Sequence, residues 1–373
     1  MSPFKSSLTR NLGKSLEVYE TRNIGAPGLQ DATKNWPDGE PLYEFTSAYF
    51  TVSRGLTNNT TSDGHRLGPT QTQVRSWLSG SSNGGGGHSW ANTFVDCPQD
   101  GYQRWTVPRT GTYRITAKGG NSGFTDAPDD YMRGCTVTAD FFLTKSDKLI
   151  LAAGQGVPDF DGDHCNGGAG ASWAMYGSDY TTAVPLIVAN GAGGDTSDGS
   201  NALPQPNTTL GSSITVTPTA GEGGGPSVTG RQTTPIQSNA TAGRGDQVSD
   251  KPNSGGWLSD GGDAGSPNGV AVGGHGWRSD LKGGLRDNPN SGTGGFGGGS
   301  GGFDENGSAG GGFTGAHGDD DDPADTGHGS SFVNDVNVGN VSVALNQATT
   351  TWQQSDYTSA NQYQGWVKIE IVG

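Results

Sequence analysis

The sequence predicts an all-β protein: a β-sandwich that is interrupted by a glycine-rich insert and preceded by a short N-terminal helix. Short stretches with apolar residues at alternate positions, the pattern of half-buried strands, recur between residues 91 and 190. The pattern returns at the C-terminus, where Val367, Ile369 and Ile371 alternate with charged residues. Between these two regions glycine dominates, and the whole chain contains 67 glycines in 373 residues.

The same patterns divide the chain into five parts. They are an N-terminal anchoring segment with a short helix (1–40), a β-rich lead-in and loop (41–90), the first part of the sandwich (91–190), the glycine-rich insert (191–329) and the closing strands of the sandwich (330–373). The lead-in, from Tyr43 to about Leu78, reads as short strands separated by turn-rich segments. We therefore expect one interrupted β-domain behind an N-terminal arm.

The first 22 residues have the pattern of a short amphipathic helix. Apolar side chains recur every four positions, at Phe4, Leu8, Leu12 and Leu16. Such a helix is too short to be stable alone, so it either packs on its own domain or folds on a partner. The segment that follows is turn-rich and has no helix or strand periodicity. We therefore expect these four residues to anchor the chain on another protein.

In the sandwich, strands are expected where alternating or continuous apolar residues are bounded by turns. The expected strands are 113–117, two strands in CTVTADFFLTKSDKLILAAGQG joined by a turn at Lys145–Asp147, 170–176 and 184–189. Within the insert only 212–219 reads as a strand, as one arm of a hairpin would. Strands return at SSFVNDV, NVSVAL and GWVKIEIVG, which are expected to close the sandwich.

The stretch from 288 to 318 is the most glycine-rich part of the insert. Interior glycines destabilise an α-helix by about 1 kcal/mol each relative to alanine, and they give a strand nothing to pack. A flexible linker or a bundle of polyglycine II helices remains. Phe296, Phe303 and Phe313 argue against a linker. We therefore expect a polyglycine II bundle, with one bare backbone edge at Gly292, Gly295, Gly298 and Gly301.

Composition and charge limit the classes of function. The formal net charge is −15, which disfavours binding to nucleic acid or to an anionic membrane. No run of about 20 apolar residues is present, so no insertion into a membrane is expected. The N-terminus lacks the apolar core of a signal peptide, which predicts synthesis in the cytoplasm. The three cysteines have no zinc-binding spacing, and no cofactor or metal is expected.

Catalytic motifs are not evident in the sequence. The histidines lack HExxH spacing, and neither a GxSxG nor a phosphate-binding glycine loop occurs. Paired carboxylates for glycoside hydrolysis remain an option that spacing cannot exclude. Asp159, Asp161 and Asp163 depart from the EF-hand pattern and indicate a solvated loop, with an irregular calcium site as the alternative. The tripeptide Arg244–Gly245–Asp246 is attributed to chance in so glycine-rich a chain, and we expect a protein that is not an enzyme.

Aromatic and amphipathic residues set among the glycines are the candidate receptor-binding residues. They are Trp257, Trp277, Phe296, Phe303, Phe313 and His317. One interpretation packs them between glycine helices or against the sandwich. The other exposes them at loop tips, where aromatic rings recognise sugars or proteins. Polar turns at 258–269 and 317–329 are expected to carry the recognition.

The ordered set of strand and glycine motifs resembles the glycine-rich domain of the anaplastic lymphoma and leukocyte tyrosine kinase receptors. The matching stretches are WTVPRTGTYRITAKGG, FFLTKSDKLILAAGQG, GGAGASWAMYG, PLIVANGAGG, SSFVN and the terminal Gly-x-Val-x-Ile strand, within residues 102–373. The resemblance implies a jelly-roll or tumour-necrosis-factor-like sandwich with inserted polyglycine II helices. The chain shows no signal peptide, transmembrane segment or kinase, so a receptor role is not expected.

The N-terminal stretch KSSLTRNLGKSLEVY resembles the start of tailed-phage virion proteins, and the glycine-rich region more loosely resembles phage tail-fibre adhesins. These resemblances imply a virion structural protein of a tail fibre or tail tip, which attaches the particle to its host. The expected partners are other virion proteins, contacted through the N-terminus, and a host polysaccharide or outer-membrane protein. A homo-oligomer is left open. A capsid decoration protein and a spike-type carbohydrate-active enzyme are the alternatives.

Overall fold

The computed structural model describes most of the chain from Ser47 onwards. The described residues are 47–51, 66–80, 87–88, 90–122, 132–157, 166–194, 205–266, 269–287, 291–303, 307–318, 326–336, 338–346 and 364–372. The N-terminal stripe formed by Phe4, Leu8, Leu12 and Leu16 lies outside them, and so does the acidic loop around Asp161. The anchoring role of the stripe therefore stays a prediction.

Fifteen strands and two α-helices are formed by the described residues. The strands are β1 Ser47–Thr51, β2 Val95–Gln99, β3 Tyr102–Thr106, β4 Gly111–Lys118, β5 Cys135–Leu143, β6 Lys148–Ala152, β7 Ser172–Tyr176, β8 Val184–Ala189, β9 Leu210–Val216, β10 Val228–Thr233, β11 Ala264–Ser266, β12 Gly269–Ala271, β13 Phe332–Asn334, β14 Val338–Leu345 and β15 Trp366–Ile371. The helices are α1 Gln71–Ser79 and α2 Ala91–Phe94, and a 3₁₀ turn covers Ala220–Glu222. The expectation of an all-β protein is confirmed.

Two antiparallel sheets carry most of these strands. The smaller sheet has the spatial order β1-β15-β4-β5-β14, and the larger has β2-β3-β6-β7-β8-β13-β10-β9. The expected strands of the sandwich are all present, and the C-terminal strand β15 lies inside the smaller sheet, between β1 and β4. The strand expected within 212–219 is β9, which pairs with β10 at one edge of the larger sheet. The expectation that the insert has no other strand is wrong, because β10, β11 and β12 also lie within it.

The two sheets pack against each other. Alternate residues of β4, namely Tyr113, Ile115 and Ala117, are fully buried, as the period of a strand with one core-facing side requires. The ring of Tyr113 meets that of Trp105 from β3 edge-to-face, with centroids 5.9 Å apart. At the other end of β4, the Ser172 hydroxyl of β7 donates a hydrogen bond to the Lys118 carbonyl oxygen. Apolar packing and hydrogen bonds thus join the sheets.

The second face of the larger sheet is covered by the glycine-rich part of the chain. Apolar residues of this sheet and aromatic residues of the glycine-rich region form one buried cluster. Its larger members are Tyr102, Ile150, Trp173, Met175, Phe332, Trp257, Trp277, Phe296 and Phe313. Burial on both faces explains why β7 and β8 read as nearly continuous apolar runs instead of alternating ones. The fold therefore has three layers, with the larger sheet in the middle.

Backbone hydrogen bonds in the glycine-rich layer do not follow a sheet pattern. The amides of Gly168, Ala169 and Gly170 donate to carbonyl oxygens in three different segments. The acceptors are Ser300, Ala192 and Gln155, at 3.0, 2.8 and 2.9 Å. Successive amides of a β-strand alternate between only two sides of the chain. This segment therefore bonds to neighbours in three directions.

Glycine is required in this layer because the backbones are close together. A β-carbon at Gly168 would overlap the Ala309 carbonyl group, and one at Gly295 would overlap the Gln155 carbonyl oxygen. Phe296, Gly297 and Gly298 form a turn, and the two glycines have φ of 110° and 87°. The chain reverses there, so the expected straight register through Gly298 is wrong. The reversal places the Phe296 ring against the sheet while its neighbours return to the glycine-rich layer.

Helix α1 corrects the expectation of strands up to Leu78. Thr70 caps the helix and forms a capping box with Gln73, whose side-chain oxygen accepts from the Thr70 amide at 2.9 Å. Val74 and Leu78, four residues apart, are both buried. The Thr-x-x-Gln spacing before an i, i+4 apolar pair was the signal that the sequence analysis missed.

Candidate binding surfaces

Four of the five aromatic candidates lie between the glycine-rich layer and the larger sheet, and the fifth, Phe303, packs with Ala264 and Ala271 of the hairpin β11–β12. Trp257, Trp277, Phe296 and Phe313 are fully buried, and Phe303 is 5% exposed. The Trp277 ring is centred 4.7 Å from Tyr102 and 5.5 Å from Trp173. These side chains cannot contact a receptor while the fold is intact. Their position corresponds to the packing interpretation, and we do not carry them forward as binding residues.

His317 is also buried, and it joins two segments of the glycine-rich layer. Its Nδ1 lies 2.7 Å from Asp246 Oδ2, and the Asp246 side chain is 2% exposed. Burial favours the neutral Asp246 carboxyl, but hydrogen bonds from His317 and from the amides of Asn239 and Gln247 outweigh it and hold the pKa of Asp246 below its ordinary value. His317 thus serves as a cross-link and is not carried forward either.

The Arg244–Gly245–Asp246 tripeptide is not presented as an exposed ligand. Asp246 is held by His317, and Arg244 donates to Glu222 Oε2 at 3.0 Å. A β-carbon at Gly245 would overlap the Asp260 carbonyl group, so the backbone between the two charged residues is closely packed. The structure agrees with the interpretation that this tripeptide is not an integrin-type motif.

The turn predicted at 258–269 contains β11 and leads into β12, and the two strands pair as a short hairpin. Its acidic side chains satisfy backbone amides: Asp260 accepts from Gly276 N at 2.7 Å, and Asp263 accepts from Gly273 N at 2.9 Å. The hairpin itself reaches the surface, where Val270 is 55% exposed. A β-carbon at Gly265 would meet open space. The described residues of the second predicted turn, 317–318 and 326–329, are buried, and residues 319–325 lie outside the described ranges.

Beside this hairpin lies a half-buried group of charged residues. Asp280 bonds to His275 Nδ1 and to Lys282 Nζ, both at 2.6 Å. The hydrogen bond to Asp280 raises the pKa of His275, with Asp260 adding to the effect against burial and Arg66. Burial would raise the pKa of Asp280, but His275 and Lys282 outweigh it and lower that pKa. The group holds the segment 272–285 closed at one end.

These pKa shifts predict a pH window for stability. A histidine whose pKa is raised by folding stabilises fully below its unfolded value, here 6.5, and loses this contribution as pH rises through the folded value. The lowered pKa of Asp280 acts in the opposite sense, and its contribution is lost only in acid. We expect His275→Gln to lower the melting temperature most near pH 5 to 6 and progressively less above pH 7. A difference between variant and wild type that does not change with pH would contradict this assignment.

A groove of about 600 Å³ opens where β5 meets the larger sheet. It is lined by the end of β5, the turn after it, the ends of β7 and β13, the start of β8 and the hairpin β9–β10; the lining includes Phe142, Tyr176, Val336, Asp147, Thr182, Ser227 and Thr229. Tyr176 Oη donates to Asp147 Oδ1 at 3.0 Å, and the Thr144 amide donates to Asp147 Oδ2 at 2.8 Å. These bonds hold both side chains in place at the rim of the groove.

The sequence analysis did not identify the groove. One signal was present: alternation places Phe142 on the solvent side of β5, between the buried Phe141 and Leu143. Phe142 is 58% exposed, but a single exposed aromatic residue does not indicate a binding surface, and its neighbours in the groove come from other parts of the chain.

The described residues give no sign of a metal centre or a membrane span. Among them, no three His, Cys, Asp or Glu side chains are grouped as metal ligands. None of the described helices has the length and apolar character needed to cross a bilayer. The class that the fold defines is therefore an all-β protein of two sheets with a glycine-rich layer. No protein-family model matches the sequence, and no curated protein matches it.

Proposed function

We propose that the glycine-rich segments form a bundle of polyglycine II helices mounted on a jelly-roll or tumour-necrosis-factor-like sandwich. The support is the hydrogen bonding of Gly168, Ala169 and Gly170 to three separate neighbours. A three-residue-per-turn helix points successive amides in three directions and makes no internal hydrogen bonds. The overlaps that any β-carbon would cause at Gly168 and Gly295 add to this support, because such helices pack closely only through glycine.

We further propose that the protein is a structural component of a tailed-phage virion, a tail-fibre or tail-tip adhesin that binds the host surface. The carrying observation is that aromatic residues of the glycine-rich layer are buried against the larger sheet, while Val270 of the hairpin β11–β12 is exposed. A rigid support lets a surface turn bind with little loss of conformational entropy. Attachment to the particle is assigned to Phe4, Leu8, Leu12 and Leu16, and its test is whether a chain without residues 1–22 still joins the particle.

The test uses bulky residues where the structure leaves room for them. Gly265 in β11 and Gly221 in the 3₁₀ turn both have open space where a β-carbon would lie. We expect Gly265→Trp to slow adsorption of particles to host cells at least fivefold, because the side chain covers the hairpin. Gly221→Trp is the matched control and should adsorb at the wild-type rate.

Both variants should be present in the particle at wild-type copy number. Normal adsorption by Gly265→Trp particles would show that the hairpin is not part of the receptor-binding surface. A copy number in the hundreds together with normal adsorption would indicate a capsid decoration protein instead.

A further inference from the structure

Exposed apolar side chains concentrate at the groove between β5 and the larger sheet. Five large hydrophobic residues are exposed among the described residues, and three of them line this groove: Phe142 at 58%, Tyr176 at 40% and Val336 at 61%. Isolated exposed apolar residues need no explanation, but a cluster of them marks a binding surface. The groove volume, about 600 Å³, lies within the range of small-molecule sites.

Most of the polar side chains of the lining are uncharged. Hydroxyl groups from Thr144, Thr182, Ser227 and Thr229 and the amide of Asn334 accompany the aromatic rings. Neutral donors and acceptors beside an aromatic face suit a ligand that has hydroxyl groups on its edge and C–H groups on its face. A sugar ring has both.

The charge of the groove lining restricts the class of ligand further. Among the residues that line the groove, Asp147 is the only one with a formal charge at neutral pH, and the chain as a whole carries a net charge of −15. An anionic ligand would therefore meet repulsion with no cation in the lining to offset it. A carboxylate is, in contrast, a strong acceptor for sugar hydroxyl groups.

The aromatic rim is ordered before any ligand arrives. The Tyr176 hydroxyl is bonded to Asp147 Oδ1, and Asp147 Oδ2 is bonded to the Thr144 amide. This chain of hydrogen bonds holds the Tyr176 ring and the carboxylate in one orientation. Asn334 is similarly held, since its Nδ2 donates to the Pro185 carbonyl and its Oδ1 accepts from the Val336 amide, both at 2.9 Å. A ligand then binds without ordering these side chains.

We propose that this groove is a binding site for a neutral saccharide of two or three hexose units, stacked on Tyr176 and Phe142 and hydrogen-bonded to Asp147. This proposal rests on the proposed function in one respect: the saccharide would belong to the host surface. The site is separate in the chain from the hairpin β11–β12, so the two can be tested independently.

The experiment uses the purified full-length chain and a panel of neutral trisaccharides of glucose, galactose, mannose and N-acetylglucosamine, with a sialylated trisaccharide as the charged comparison. Binding is measured by saturation-transfer NMR and titration calorimetry. We expect at least one neutral trisaccharide to bind with a Kd of about 1 mM or lower and the sialylated one not to bind. Tyr176→Ala and Phe142→Ala should each weaken binding at least tenfold.

Two control variants test whether a loss of binding is specific to the groove and to the aromatic ring. Val372→Ala removes an exposed apolar side chain outside the groove and should bind as wild type. Tyr176→Phe keeps the ring and removes the bond to Asp147, so it should weaken binding less than Tyr176→Ala does. Circular dichroism melts check that each variant is folded. Failure of every neutral trisaccharide, preference for the sialylated one, or equal binding by Tyr176→Ala, Phe142→Ala and wild type would overturn the proposal.

Failure of the proposed function gives a different result. In one outcome, the trisaccharide binds in a way that depends on Tyr176, but Tyr176→Ala and Gly265→Trp particles adsorb normally. This result would support the saccharide site and contradict the adhesin function. In the opposite outcome, no trisaccharide binds, but Gly265→Trp particles adsorb slowly. This result would contradict the saccharide site and support the adhesin function.

Discussion

Replacing Gly168 with alanine is expected to destabilise the protein by about 3 kcal/mol or more, which is large for the addition of one methyl group. The methyl carbon would overlap the backbone carbonyl group of Ala309, and backbone cannot move aside as a flexible side chain can. The Gly168 amide and carbonyl also bond to Ser300 and Gly295, so a shift of this segment would disturb two neighbours. The melting temperature should fall by on the order of 10 °C.

The matched control for this substitution is Gly221→Ala. A β-carbon there meets nothing within 4 Å, and the expected change in melting temperature is close to zero. Ala169, the neighbour of Gly168, already carries a β-carbon while fully buried, so burial alone does not forbid alanine in this segment. Equal melting temperatures for Gly168→Ala and Gly221→Ala would show that the segments are not closely packed, and the polyglycine II proposal would fail.

Trp277→Ala is expected to cost about 3–5 kcal/mol, the range for removing a fully buried large aromatic residue. Its ring packs on Tyr102 and Trp173, and its Nε1 donates to the Tyr180 carbonyl oxygen at 2.7 Å. The substitution removes the contact between the glycine-rich layer and the larger sheet at this point. We expect a lower midpoint in urea and increased hydrogen exchange in both layers.

Val270→Ala is the control, because Val270 lies in the same layer but is 55% exposed. Its midpoint should shift by less than a tenth of the shift for Trp277→Ala. Before the fold was considered, Trp277 was a candidate for receptor contact, and its loss was expected to affect attachment with the fold intact. A Trp277→Ala protein with wild-type stability and reduced attachment would support receptor contact by Trp277 and contradict its role in packing the two layers.

Local patterns were enough to predict the strands. A strand is indicated by apolar residues at every second position, a pattern that involves only residues close together in the sequence. The pattern occurs at Val367, Ile369 and Ile371 and at Tyr113, Ile115 and Ala117, and the structure has strands at both places. Glycine content was equally informative about the stretch 288–318, whose described residues form neither helix nor strand, although β9 to β12 show that ordinary strands form elsewhere in the insert. The failure at α1 had a local cause as well, because its capping box at Thr70 and Gln73 was present but not recognised.

The candidate site depended on information that no local pattern contains. Whether an aromatic residue among glycines is buried depends on what the chain places above it, and for Trp277 this is Tyr102 and Trp173, more than 100 residues earlier in the sequence. The groove has the same property, because Phe142, Tyr176 and Val336 meet only after β5 has packed beside the larger sheet.

By itself, the sequence determined that this protein is all-β, that its strands lie where apolar residues alternate, and that the most glycine-rich stretch, 288–318, is neither helix nor ordinary strand in its described residues. The tertiary structure decided which surfaces remain for binding, because exposure is a property of the assembled layers. Trp257, Trp277 and Phe313 became buried only because the glycine-rich layer packs on the larger sheet, which places residues distant in the sequence over their rings. Among the described residues, the hairpin β11–β12 and the groove at the end of β5 are accessible.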